Sequence, residues 1–171
     1  MQDNRILILN HAQAQAKIAR MACEILEQTY PEQELVLIGI DTKGESLAHF
    51  IAGEIQKMSQ VKLSVYKAIP QRNGDSTDAV DLPGLTPEKI QGKTSIIIDD
   101  VLYSGKTLLK TLTQLMSLKP SRVQAMVLID RGHRSFPIHA DYTGMELGTT
   151  LQEHIRVEIA PNQEISAYLF S

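Results

Sequence analysis

Three features of the 171-residue sequence predict an α/β fold, with a parallel sheet flanked by helices and a smaller subdomain towards the end of the chain. Short apolar runs at 35–40 and 95–98 are bounded by turn residues and read as strands buried on both faces. Segments of 3.6-residue apolar period alternate with these runs, which implies parallel strands joined by right-handed helical crossovers. After residue 151 the pattern changes to strand-like alternation, as expected of a separate small sheet.

The elements follow in order. Residues 13–28 carry Ile18, Met21, Ala22, Ile25 and Leu26 on one helical stripe, ended by Tyr30-Pro31. Residues 35–40 form the first buried strand. A turn at 41–44 leads into a helix that sends Leu47, Phe50, Ile51, Ile55 and Met58 inward. Residues 61–69 read as a second strand. The stretch 70–92 is rich in Pro, Gly, Asn, Asp and Thr, and a connection of that length predicts a poorly ordered lid or binding loop. The acidic strand at 95–100, a helix at 107–118 through Leu108, Leu109, Leu112 and Leu115, and a strand at 123–129 complete the alternation. Residues 154–160 and 165–170 alternate like two strands joined at Pro161-Asn162, forming a small subdomain over the crevice.

Bulk properties narrow the function classes. One domain spanning 1–171 suffices at this length. The composition, 43% apolar and 22% charged, is that of a globular protein, and no apolar stretch approaches the ~20 residues of a membrane helix. The N-terminus lacks the pattern of an export signal, so a cytoplasmic location is expected. A net charge of −3, with no basic run interleaved with aromatics, argues against nucleic acid as a partner. The single cysteine, Cys23, lies in a helical apolar pattern and reads as a small buried hydrophobe. His133, His139 and His154 lack zinc-site spacing and companions, and Arg134 reads equally as a solvated charge or a ligand contact.

The chemistry concentrates at residues 95–108. Asp99 and Asp100 emerge at the carboxyl end of a buried strand, the edge where open α/β sheets hold ligands. Ser104, Gly105, Lys106 and Thr107 then open a helix. Their backbone N–H groups, two hydroxyls and the helix N-terminus suit a phosphate dianion, while paired carboxylates suit sugar hydroxyls or a magnesium ion. A nucleotide-binding P-loop is excluded, since Gly-x-x-x-x-Gly-Lys-Thr needs glycine where Asp100 stands. One aspartate often caps a helix; two before such a turn point to a ligand instead. Asp41-Thr42-Lys43-Gly44 falls on the same sheet edge and offers a lysine, a hydroxyl and free backbone to a second anion.

Residues 99–107 resemble the signature of the type I phosphoribosyltransferases. Asp130-Arg131-Gly132-His133-Arg134, followed by Pro137-Ile138 and Ala140-Asp141-Tyr142, is similar to the hood of pyrimidine-operon regulators that double as uracil phosphoribosyltransferases. The resemblance implies transfer of the 5-phosphoribosyl group of 5-phosphoribosyl 1-diphosphate to a nucleobase, a pyrimidine and above all uracil, with magnesium and release of pyrophosphate. Asp99 and Asp100 would hold the ribose hydroxyls and, directly or through water, Mg2+. The loop of Tyr103, Ser104, Gly105, Lys106 and Thr107 would grip the 5-phosphate. Thr42, Lys43 and Gly44 would take the pyrophosphate, Lys43 sharing the catalytic role, with a cis peptide between Thr42 and Lys43. Tyr142 would stack on the base, Thr143 would bond it through its backbone, and Asp130 with Arg131 would line its polar edge. Residues 70–92 would act as lid and 131–152 as hood, in a homodimer or homotetramer.

Departures from that subfamily fall at Ser64 to Pro70, in place of an acidic and basic segment, at His139 and Met145 in place of basic side chains, and at Leu147-Gly148-Thr149-Thr150. They leave open an alternative: a catalytically weak regulator of pyrimidine genes that senses nucleotide or phosphoribosyl diphosphate.

Overall fold

A computed structural model describes residues 5–73 and 76–171; what the sequence predicts for residues 1–4 and 74–75 lies outside the described residues. The chain runs β1 (Arg5–Leu9), α1 (His11–Thr29), β2 (Glu34–Ile40), α2 (Asp41–Met58), β3 (Lys62–Asn73), β4 (Ser76–Asp81), α3 (Pro87–Ile90), β5 (Thr94–Leu102), α4 (Lys106–Met116), β6 (Arg122–Asp130), β7 (Tyr142–Glu146), β8 (His154–Ile159) and β9 (Ile165–Phe170). The main sheet has the order β4-β3-β2-β5-β6-β7, parallel throughout except for β4. The α/β fold with a parallel sheet between helices is as the sequence predicts.

Alternation explains why both faces are covered. Leu35, Leu37, Ile96 and Ile98 point into the core shared with α1 and α2, whereas Val36, Ile38 and Ile97 point into a second core with Leu108 and Leu115 of α4. A sheet buried on both sides needs uninterrupted apolar strands, and these strands have them. Helix α1 starts at a capping box, Asn10 and Gln13 each accepting the other's backbone N–H at 2.9 Å. No helix among the described residues is long and apolar enough to cross a membrane.

Several expectations are corrected. Residues 70–92 are not a structureless loop: β3 continues to Asn73 and pairs antiparallel with β4, and α3 follows. The turn expected at 41–44 is absent, because α2 begins directly at Asp41, which takes a left-handed φ of 56°. Of residues 131–152, expected as the hood, only 142–146 form a strand, and the separate small sheet over the crevice is built elsewhere in the chain. That sheet, called the hood sheet below, is three-stranded and antiparallel in the order β1-β9-β8, so the first described strand joins the last two, while 142–146 become the sixth strand of the main sheet. Met58 is half-exposed rather than inward, and Cys23 is exposed on α1, 3.4 Å from the Met58 sulfur.

Candidate active site

The strand order reverses between β2 and β5. The chain steps outward from β2 to β3, then returns to lay β5 on the other side of β2, and such a switch point opens a crevice at the carboxyl ends of both strands. A cavity of about 460 Å³ occupies it, walled by residues 40–43 where β2 passes into α2, by the end of β5, and by residues 103–108. Asp99, Asp100, Thr42, Lys43, Tyr103, Ser104, Gly105, Lys106 and Thr107 all line it.

Each wall has a local cause. Gly44 packs so closely under β5 that a Cβ would lie 2.5 Å from the Ile98 carbonyl oxygen, which lets the first turn of α2 rest against the sheet. That approach sets Lys43 Nζ 3.5 Å from Asp100 Oδ2. Thr42 Oγ1 accepts from Lys67 Nζ at 3.2 Å, and Lys67 pairs with Glu45 at 2.9 Å. The peptide between Thr42 and Lys43 is trans, not the cis bond expected. On the other wall Gly105 takes φ 82°, with the Ile138 side chain 2.3 Å from where a Cβ would be, and α4 starts immediately after it. The Ser104 carbonyl accepts the backbone N–H groups of Ser135 and Phe136 at 3.0 and 3.2 Å, so the post-β6 loop pins the turn in place.

The two carboxylates differ. Burial, reinforced by the neighbouring Asp100 charge, pushes the Asp99 carboxyl well above the ordinary carboxylate range. Asp99 Oδ1 accepts the Asp100 backbone N–H at 2.9 Å, and Asp100 faces Lys43. Among the described residues there is no cluster of three or more His, Cys, Asp or Glu able to hold a metal alone. The Asp99–Asp100 pair offers carboxylate oxygens that fit a hard divalent ion, which would displace the proton Asp99 otherwise holds, and a bound anion would have to complete the coordination.

The base-side expectations fare differently. Tyr142 is fully buried and its hydroxyl lies 3.0 Å from Gln124 Oε1, so it has no face free for a ligand. The reason is register: β7 runs parallel to β6, placing Tyr142 and Thr143 opposite Met126 and Val127, away from the carboxyl edge where Asp130 pairs with Glu146. The Thr143 carbonyl is taken by Arg20 at 2.8 Å. Asp130 is buried and accepts from the Gly132 N–H at 2.8 Å and from the Arg134 guanidinium, so Arg134 is partly buried in an ion pair and does not line the cavity. Arg131 bonds Thr149 Oγ1 at 3.0 Å and the Thr150 carbonyl at 3.1 Å. These four residues build the scaffold beside the cavity and do not line it.

Arg72 does line it, reaching back from β3 to within 3.3 Å of Asp41 Oδ2. The sequence gives only a weak hint of this, a basic residue inside the segment expected to cover the site.

The phosphoribosyl transferase domain family matches residues 7–160. This chain belongs to that family. It is 35% identical over 166 residues to the "Bifunctional protein PyrR" of Gloeothece citriformis, covering 94% of each chain. It is 37% identical over 155 residues to the protein of that name from Leuconostoc citreum, covering 88% of this chain and 89% of the relative. The resemblance to the pyrimidine-operon regulators is thereby borne out. Among solved structures, a hypoxanthine-guanine phosphoribosyltransferase from Bacillus anthracis superposes with TM-score 0.71 at 21% identity, covering 88% of this chain and 86% of the other. A hypoxanthine phosphoribosyl transferase from Trypanosoma cruzi does so with TM-score 0.75 at 17% identity, covering 88% and 82%. At these identities the likeness is one of fold.

Proposed function

We propose that the chain transfers the 5-phosphoribosyl group of 5-phosphoribosyl 1-diphosphate to a pyrimidine base, uracil foremost, releasing pyrophosphate with the help of Mg2+. One observation carries the reading: a single cavity joins a carboxylate pair, a glycine turn at a helix N-terminus and a lysine-bearing turn, the three parts this substrate needs. The Ser104 to Thr107 turn takes the 5-phosphate on backbone N–H groups and the α4 dipole. Asp99 and Asp100 take the ribose hydroxyls, and Lys43 meets the diphosphate.

The bond from ribose C1 to the diphosphate oxygen breaks as one to a ring nitrogen forms, and that nitrogen loses its proton. Positive charge grows on the sugar while negative charge grows on the departing group, so the work is positioning and fixed electrostatics. In this reading Asp100 offsets the first charge, and Lys43 and Arg72, which line the same cavity, offset the second. Mg2+, held by Asp99 and Asp100 directly or through water, supplies charge neutralisation to the leaving group when bound.

The relatives' shared description as bifunctional favours a second reading, in which the same site also serves as a sensor of the diphosphate. Calorimetric titration with 5-phosphoribosyl 1-diphosphate, with and without Mg2+ and followed by addition of uracil, separates the two. Binding that leads to pyrophosphate release supports transfer. Binding with no release under any base promotes the sensor, and no binding refutes both.

A further inference from the structure

β8 is an edge strand of the hood sheet, and an edge strand presents unpaired backbone groups. At Ile155 they are not left open. The Tyr103 hydroxyl accepts the Ile155 N–H at 2.8 Å and donates to the Ile155 carbonyl, so one phenol caps both groups. Tyr103 belongs to the turn expected to hold the 5-phosphate, yet its side chain leaves that turn for the hood. Burial pushes the hydroxyl above a tyrosine's usual range, so it stays protonated and able to donate at neutral pH.

A second contact runs in parallel. The Arg131 guanidinium lies 5.0 Å over the Tyr103 ring, and the same side chain bonds Thr149 Oγ1 and the Thr150 carbonyl. The Arg131 backbone N–H meets the Leu102 carbonyl at 3.3 Å, one residue before the tyrosine. Tyr103 is thus the point where the turn after β5, the loop after β6 and the hood strand meet.

We propose that Tyr103 is a positioning residue that couples occupancy of the 103–107 turn to the position of hood strand β8. The coupling passes through one side chain: whatever displaces the 103–107 turn displaces the partner of the Ile155 N–H and carbonyl with it. The phenol is suited to this because it is rigid, spans the gap in one step, and satisfies a backbone donor and acceptor together. It rests on the proposed function for its kinetic consequence but not for its structural one.

The test compares wild type with Tyr103→Phe, which keeps the ring under Arg131 and removes only the hydroxyl. Amide exchange is followed by NMR with ribose 5-phosphate as probe. In wild type the probe should slow exchange at both 103–107 and Ile155; in Tyr103→Phe it should slow the turn alone. In turnover, Tyr103→Phe should raise KM for the base by about tenfold with kcat within roughly twofold, because the Ile155 N–H and carbonyl lose their shared partner and β8 is no longer tied to the turn. Equal protection of Ile155 in both proteins, or no protection in wild type, overturns the coupling. A wild type that transfers to no base overturns the proposed function instead, and the exchange comparison still decides the coupling.

Discussion

The two halves of the site are built differently. The half assigned to the phosphoribosyl diphosphate comes from short contiguous stretches, 41–44 and 99–107, each at the carboxyl end of a central parallel strand. The half beside it lies outside the cavity wall and is assembled around the Tyr103 side chain by Asp130, Arg131, Thr149 and Ile155, drawn from a strand end, two loops and an edge strand of a separate sheet. Contiguous stretches on buried strands hold their geometry through local backbone rules. The dispersed half depends on registers and side-chain contacts set by distant parts of the chain.

That contrast is sharpest at Asp100. Replacing it with Asn should lower kcat/KM about 10²-fold while leaving the thermal midpoint near wild type, read by pyrophosphate release alongside a melting curve. Unchanged kinetics would remove the carboxylate pair from the mechanism.

A smaller effect is expected from Gly105→Ala. The left-handed φ of 82° and the Ile138 side chain 2.3 Å from the added Cβ would distort the turn. KM for the diphosphate should rise about tenfold and stability fall by about 1–3 kcal/mol, with KM for the base moving less. An equal rise for both substrates would mean that the halves are not separable.

Asp99 supplies a pH test on metal-free protein. Its carboxyl is raised in the fold by burial first and by Asp100 second, so the native state holds that proton more tightly than the unfolded chain does. The associated stability is fully present below the ordinary carboxylate range and is lost as pH rises through the raised value. Asp99→Asn removes this loss. Denaturant unfolding at a series of pH values should show the variant gaining on wild type as pH rises; a constant difference would contradict the assignment.

The smallest kinetic effect belongs to Tyr142→Phe. Its hydroxyl bonds Gln124 inside the core, so the change should cost about 1 kcal/mol of stability and leave both KM values alone. A large rise in KM for the base would place the Tyr142 hydroxyl, and not only the core hydrogen bond to Gln124, in the base site.

The same contrast explains what could be read in the sequence. The apolar runs of β2 and β5 announce strands buried on both faces, and the residues that follow them announce a ligand edge, because alternation and turn chemistry are local signals. β1 also carries an apolar run at residues 6–9, but a run of four with mostly exposed residues does not say which sheet it joins; that is set by β9, at the far end of the chain, which pairs with it. The role expected of Tyr142 fails for a related reason. Nothing local fixes a parallel register of β7 on β6, and that register buries the ring at the wrong edge of the sheet. Arg72 enters the cavity only because β3 extends to Asn73, beyond the strand the sequence suggests. Asp99, Asp100 and Lys43 meet as expected because a close glycine contact and a strand terminus bring them together.

The most direct test is pyrophosphate release from 5-phosphoribosyl 1-diphosphate by the purified chain, with uracil, purine bases and orotate offered separately, each with and without Mg2+. The account predicts release with uracil, dependent on the metal and abolished or nearly so in Asp100→Asn. Release with no base, together with no calorimetric binding of the diphosphate, would contradict it.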